Sequence, residues 1–170
     1  DWIELINISN QPVDLSEYSL SNDPDDYEMW NLPQKTLQPG ELIVFIASGE
    51  EILSNDEYTH TNFKINGDEI VILSKNGQFA DGVCAAATER DMSYGRVEGK
   101  DGFFYFTSPT PGEKNTDSSI RSIAPEPIFA SQPGIYEDTQ PLKVMLQGSG
   151  KIYYTTDGTT PTEQSALYTE

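Results

Sequence analysis

The sequence predicts an all-β chain, built as an antiparallel sandwich followed by a second, smaller β module. Short runs rich in β-branched and aromatic residues recur at the spacing of sandwich strands, and clusters of Asn, Asp, Gly and Pro separate them. No segment sustains the apolar period of a helix.

Residues 1–9, DWIELINIS, alternate Trp2, Glu4, Ile6 and Ile8 with Ile3, Leu5 and Asn7, as a strand does. Val13 to Asn22 (VDLSEYSLSN) reads as a second strand, entered through Asn10-Gln11-Pro12 and left at Asn22-Asp23-Pro24-Asp25-Asp26. The turn Leu37-Gln38-Pro39-Gly40 delivers the chain into Glu41 to Ser48, whose apolar run from Leu42 to Ala47 suits a strand inside a sandwich. Glu50 to Asn55 could form one helical turn, although Gly49 and its polar neighbours favour a loop. Asn66-Gly67 leads into Asp68 to Ser74, and Lys75-Asn76-Gly77-Gln78 signals a hairpin before Phe79 to Val83. One alternating pair of that hairpin, Ile70 with Ile72 or Val71 with Leu73, should be almost fully buried. Ser93 to Val97 and Phe103 to Thr107 complete the first module, which ends at Ser108-Pro109-Thr110-Pro111-Gly112.

Thr116 to Pro127, rich in Ser, Asp and Pro, has the composition of an exposed, extended linker. The expected division is therefore a module over 1–116, a linker over 117–126 and a second module over 127–170. In that second module Pro127 to Tyr136, Leu142 to Gln147, Lys151 to Thr156 and Ala166 to Thr169 read as strands. Four short strands are too few to close a sandwich, so this module is expected to continue past Glu170 and to present an open edge suited to self-association.

The net charge of −18 and pI near 4.1 make nucleic acid a poor partner, because so few cations cannot replace the counterions of a phosphate backbone. One cysteine, Cys84, leaves no internal disulfide, so packing must hold the modules together. No apolar run approaches the length of a membrane-spanning helix, and membrane insertion is not expected.

Six strings then occur in a particular order: DWIELIN from Asp1, VDLSEYSLS from Val13, HTNFK from His60, DEIVIL from Asp68, SYGR from Ser93 and TPGEKN from Thr110. Over about 1–116 this order resembles bacterial lamin-tail domains. The resemblance implies an immunoglobulin-like β-sandwich, with the strand that usually precedes DWIEL missing and one sheet edge open unless another element covers it. Residues 127–170, above all IYYTTDGTTPT from Ile152, resemble the C-terminal β module of chitobiase-type β-hexosaminidases, here without its closing strands. The two together imply display outside the cytoplasm, at the cell surface or secreted, sometimes beside a kinase-like segment resembling spore-coat protein H. Neither family brings a catalytic motif.

The residues themselves offer few chemical constellations. The single histidine, His60, could activate Cys84, but Cys84 lies in Val83-Cys84-Ala85-Ala86-Ala87 and is expected to pack as a small hydrophobe. One histidine and one cysteine cannot supply a tetrahedral zinc site. Asp23, Asp25, Asp26 and Glu28 cluster tightly enough to hold Ca²⁺, the one cofactor considered, yet lack the spacing and central glycine of an EF-hand; a solvated acidic loop is the plainer reading. Tyr27, Trp30 and Tyr154 could contact a ligand, and because Tyr153 and Tyr154 are adjacent on a strand they must face opposite sides. The favoured function is a non-catalytic binding or scaffolding segment that recognises a protein or a carbohydrate. The alternative is an accessory segment of a hydrolase or kinase whose active site lies outside this stretch.

Overall fold

The computed structural model describes residues 1–55, 57–67, 69–84, 88, 90–116, 119–130 and 143–169. The chain divides into two compact units, Asp1–Arg121 and Ser122–Glu170.

In the first unit the strands are β1 (Trp2–Ile6), β2 (Val13–Asp14), β3 (Tyr18–Ser21), β4 (Trp30–Asn31), β5 (Thr36–Leu37), β6 (Leu42–Ile46), β7 (Thr59–His60), β8 (Ile70–Lys75), β9 (Gln78–Cys84), β10 (Ser93–Gly95), β11 (Phe104–Phe106) and β12 (Ser119–Ile120). Sheets of order β1-β6-β7 and β4-β3-β8-β9 enclose one core. Ile3, Phe45 and Ala47 enter it from the first sheet or its end, Leu20, Trp30 and Val71 from the second, and Leu15, Leu32, Leu37 and Phe63 from connections and short strands. Two facing sheets around a shared apolar layer make an immunoglobulin-like β-sandwich.

Several local expectations need correction. Val13 to Asn22 is not one strand: a 3₁₀ turn at Leu15–Glu17 divides it. The Asp14 carboxylate accepts the Ser16 N–H at 3.0 Å, an N-cap that competes with the ladder and rotates Leu15 into the core. Glu51–Leu53 does form a 3₁₀ turn. The pairing is not wholly antiparallel, since β6 and β7 run parallel, Phe45 opposite Thr59 and Ile46 opposite His60.

The hairpin of β8 and β9 turns on Asn76 (φ 49°) and Gly77 (φ 72°), the left-handed pair that a two-residue turn of this kind requires. Neither expected pair is wholly withdrawn from water, however. Val71 and Ile72 are buried, Leu73 is half-buried and Ile70 is exposed. The reason is that the outer face is covered too. Ser21 and Ser74, on the side opposite Leu20 and Val71, are fully buried beneath the segment 22–29. Ser21 Oγ accepts the Asp23 N–H at 2.8 Å, and Ser74 Oγ donates to the Tyr27 carbonyl at 2.6 Å. Small hydroxyl side chains there let the connection lie close against the sheet, which shields Ile72.

Among the described residues β1 pairs only with β6, so its other edge is open. Beside it is an apolar slot of about 190 Å³ lined by Leu5, Ile8, Val13, Tyr18, Leu37 and Leu73 with their neighbours. β10, β11 and β12 form a third sheet, with Phe104, Phe106 and Val97 in a second cluster. Ser119–Ile120 lies in the stretch expected to be linker, but it pairs with Phe106 and Tyr105 and so belongs to the first unit.

Among its described residues the second unit holds two two-stranded sheets: β13 (Ile128–Phe129) with β14 (Leu146–Gln147), and β15 (Tyr153–Tyr154) with β16 (Ala166–Leu167). These are shorter than the strands expected over 127–136, 142–147, 151–156 and 166–169; residues 131–142 of that reading lie outside the described residues. Tyr168 Oη accepts the Leu146 N–H at 3.3 Å and ties the two ladders together.

Candidate functional site

The acidic loop is built by its own backbone. Asp23 Oδ1 accepts the Asp25 N–H at 2.9 Å, and Asp26 Oδ1 accepts the Glu28 N–H at 3.1 Å, so two of the four carboxylates close successive Asx turns. Pro24, Asp25, Asp26, Tyr27, Glu28 and Gly77 line an open, polar concavity of about 450 Å³. Among the described residues no three Asp, Glu, His or Cys side chains converge so as to hold a metal ion. Tyr27 is half-buried, its ring 6.4 Å from that of the exposed Phe79.

Trp30, expected as a possible ligand contact, does not lie on the surface. Its ring is buried, meets Phe45 edge-on at 5.2 Å, and its Nε1–H donates to Glu51 at 2.9 Å. β4 places it directly opposite Leu20, on the core face of the sheet. In the second unit Tyr154 is exposed and Tyr153 half-buried, as adjacent strand positions require.

His60 does not stand alone: its Nδ1 lies 2.9 Å from Ser48 Oγ. A serine against a histidine has the first element of nucleophilic catalysis, but the surroundings give it another role. Ser48 Oγ also accepts the Glu50 N–H at 3.1 Å, and Ser54 Oγ accepts the His60 N–H at 2.8 Å. These bonds fasten the segment between β6 and β7, and among the described residues no carboxylate orients the other ring nitrogen. Cys84 is exposed at the end of β9, against the expectation that it packs inward. Ala85 to Ala87 of that run lie outside the described residues.

The most organised surface is one that sequence reasoning did not single out. Tyr94 of β10 faces Tyr105 of β11 across the ladder, their centroids 4.7 Å apart. One pair further toward the turn, Arg96 lies 4.3 Å over the Phe103 ring, and Tyr94 stacks diagonally on Phe103 at 5.5 Å. The Asp81 carboxylate accepts both ends of the Arg96 fork at 2.7 Å. Arg96 thereby holds the Asp81 carboxyl below its ordinary range, against a smaller opposing effect of burial. Ile120, opposite Tyr105, extends the same face. Behind it Phe104 and Phe106 are buried, and Gly95 lets Asn115 approach: a Cβ there would sit 3.0 Å from Asn115 Nδ2, which donates to the Arg96 carbonyl at 2.9 Å. The available signal was the alternation in SYGR and FFYF, but which residues oppose one another depends on a register that the sequence does not state.

Glu4 is a half-buried carboxylate that joins distant parts of the first unit. Burial raises its pKa, and the Gly112 N–H donated to it at 2.6 Å works in the opposite direction.

Comparison with known proteins agrees with this architecture. Neither a curated protein nor a solved structure matches the chain. The family model of the chitobiase/β-hexosaminidase C-terminal domain matches residues 131–170, and that of the lamin tail domain matches residues 1–86. Both are accessory β modules rather than catalytic domains. With a match over half of its length and a sandwich to carry it, the chain belongs to the lamin tail domain family.

Proposed function

We propose that this chain is a non-catalytic binding or scaffolding segment of a surface-exposed or secreted protein, recognising a protein or glycan partner. The observation that carries this reading is how its polar groups are engaged. Asp14, Asp23, Asp26, Glu51, Ser48 and His60 close turns or fasten loops, while the half-buried rings of Tyr94, Phe103 and Tyr105 and the exposed Arg96, on and beside β10 and β11, form a supported surface. A rigid sandwich with a supported surface suits recognition, whereas catalysis requires reactive groups held where a substrate can reach them.

The test uses the full chain against insoluble polysaccharides and extracts of bacterial surface proteins, with parallel turnover assays on ester, peptide, phosphoester and chitooligosaccharide substrates. Retention without turnover is expected. Turnover that survives purification and disappears in Ser48→Ala or His60→Gln would replace this reading with an enzymatic one.

The open β1 edge favours a second reading, association of copies of this chain through β1. Sedimentation across a concentration series would show a dimer, and Leu5→Pro would abolish it; a monomer at every concentration removes this reading.

A further inference from the structure

We infer that the β10–β11 face is a binding site for a neutral oligosaccharide of equatorially substituted sugars, held by Tyr94, Phe103, Tyr105 and Arg96. This rests on the reading of the chain as a binding segment and names the ligand class and the place.

Three features point to that class. First, the rings are half-buried and supported from behind by Phe104 and Phe106, so their outer portions reach solvent without freedom to collapse. Sugars with equatorial substituents expose flat C–H faces that pack against aromatic carbon, and the Tyr hydroxyls add hydrogen bonds at the rim. Second, Arg96 is fixed twice, by its two bonds to Asp81 and by its position over Phe103. Its remaining N–H groups and the remaining lone pair of Asp81 Oδ2 form a rigid donor–acceptor pair suited to neighbouring hydroxyls. Third, the ion pair cancels its own charge. The face therefore offers hydrogen bonds without an excess cation for phosphate or sulfate, which fits a neutral polyhydroxylated ligand. A protein partner is less suited, because a stable interface buries about 800 Å² per side and this grid has four side chains flanked by Ile120.

The experiment is titration of the full chain with cellohexaose and with chitohexaose, followed by calorimetry and by amide and tyrosine chemical shifts. At least one sugar should bind, with shifts centred on residues 94, 96, 103 and 105. Tyr105→Ala and Arg96→Lys should each weaken it about tenfold. Tyr94→Leu keeps the bulk of the side chain while removing the ring, and should do the same if Tyr94→Ala unfolds. Phe79→Ala, at an exposed ring elsewhere, should leave affinity unchanged. Folded Tyr105→Ala and Tyr94→Leu variants that bind as the parent does would overturn this site, and loss in Tyr154→Ala instead would place the sugar on the second unit, leaving the binding reading intact. A parent chain that binds neither sugar but retains a surface protein overturns the ligand class. Failure to retain any glycan or protein overturns both inferences.

Discussion

The two units use similar strand-forming residues to different effect. In the first, Phe45, Leu20, Leu37 and Ile72 are almost wholly withdrawn from water. In the second, no described apolar side chain is buried, and Ile128 and Phe129 each remain 66% exposed. Composition does not explain the contrast. The first unit has longer strands assembled into two sheets that share an apolar layer, whereas the described ladders of the second are two residues long, too short to present a continuous face. Strand propensity creates a hydrogen-bonding pattern; a core needs a second layer to face it.

The contrast breaks most visibly at its extremes. Phe45→Ala should cost about 3–5 kcal/mol in denaturant unfolding, through lost transfer energy and the cavity left beside Trp30. Phe129→Ala should change stability by no more than about 0.5 kcal/mol. Equal effects at the two positions would show that the second unit has a core after all.

Within the first unit, adjacent residues of β8 sharpen the same comparison. Ile72→Ala should cost about 2–5 kcal/mol and Ile70→Ala less than about 1 kcal/mol. A large effect at Ile70 would mean that segment 22–29 does not cover the outer face as described.

Gly77→Ala comes next. It forces a side chain into a left-handed conformation and brings its Cβ within 3.3 Å of the Glu28 carboxyl, so a loss of about 1 kcal/mol is expected. No loss would place the hairpin turn in another geometry.

The smallest expected effect is that of pH. Hydrogen bonds from Arg96 lower the folded-state pKa of Asp81, so its contribution to stability is present above the unfolded value and is lost as pH falls through the folded one. Glu4 has the opposite sign: burial raises its pKa, so its contribution is present below the unfolded value and is lost as pH rises through the folded one. Asp81→Asn should therefore flatten the acid limb below about pH 4, and Glu4→Gln should flatten the decline just above that range. Unchanged limbs would show that neither carboxyl is held as described.

How much of this was legible in the sequence depended on how local the cause was. The Asn76-Gly77 hairpin could be read because two adjacent residues determine it. The strand break at Asp14 was equally local, since Asp-Leu-Ser-Glu is a capping pattern, but the flanking apolar residues favoured a continuous strand. Trp30 lay beside an acidic turn, which suggested a surface; its burial comes from pairing with Leu20, a partner ten positions away across the turn. The covering of Ile72 by segment 22–29 and the meeting of Arg96 with Asp81 depend on tertiary approach. The candidate surface was therefore the least legible part, because its chemistry resides in pairings between strands.

The inequality of the two units is tested most directly by amide hydrogen exchange on the full chain. Slow exchange should be confined to the first unit, strongest where β3, β6 and β8 form the sandwich, with amides of the ladders at Ile128–Phe129 and Tyr153–Tyr154 exchanging at nearly unprotected rates. Protection in β13 to β16 comparable to that of β6 or β8 would contradict the claim that, among the described residues, only those of the first unit form a packed core.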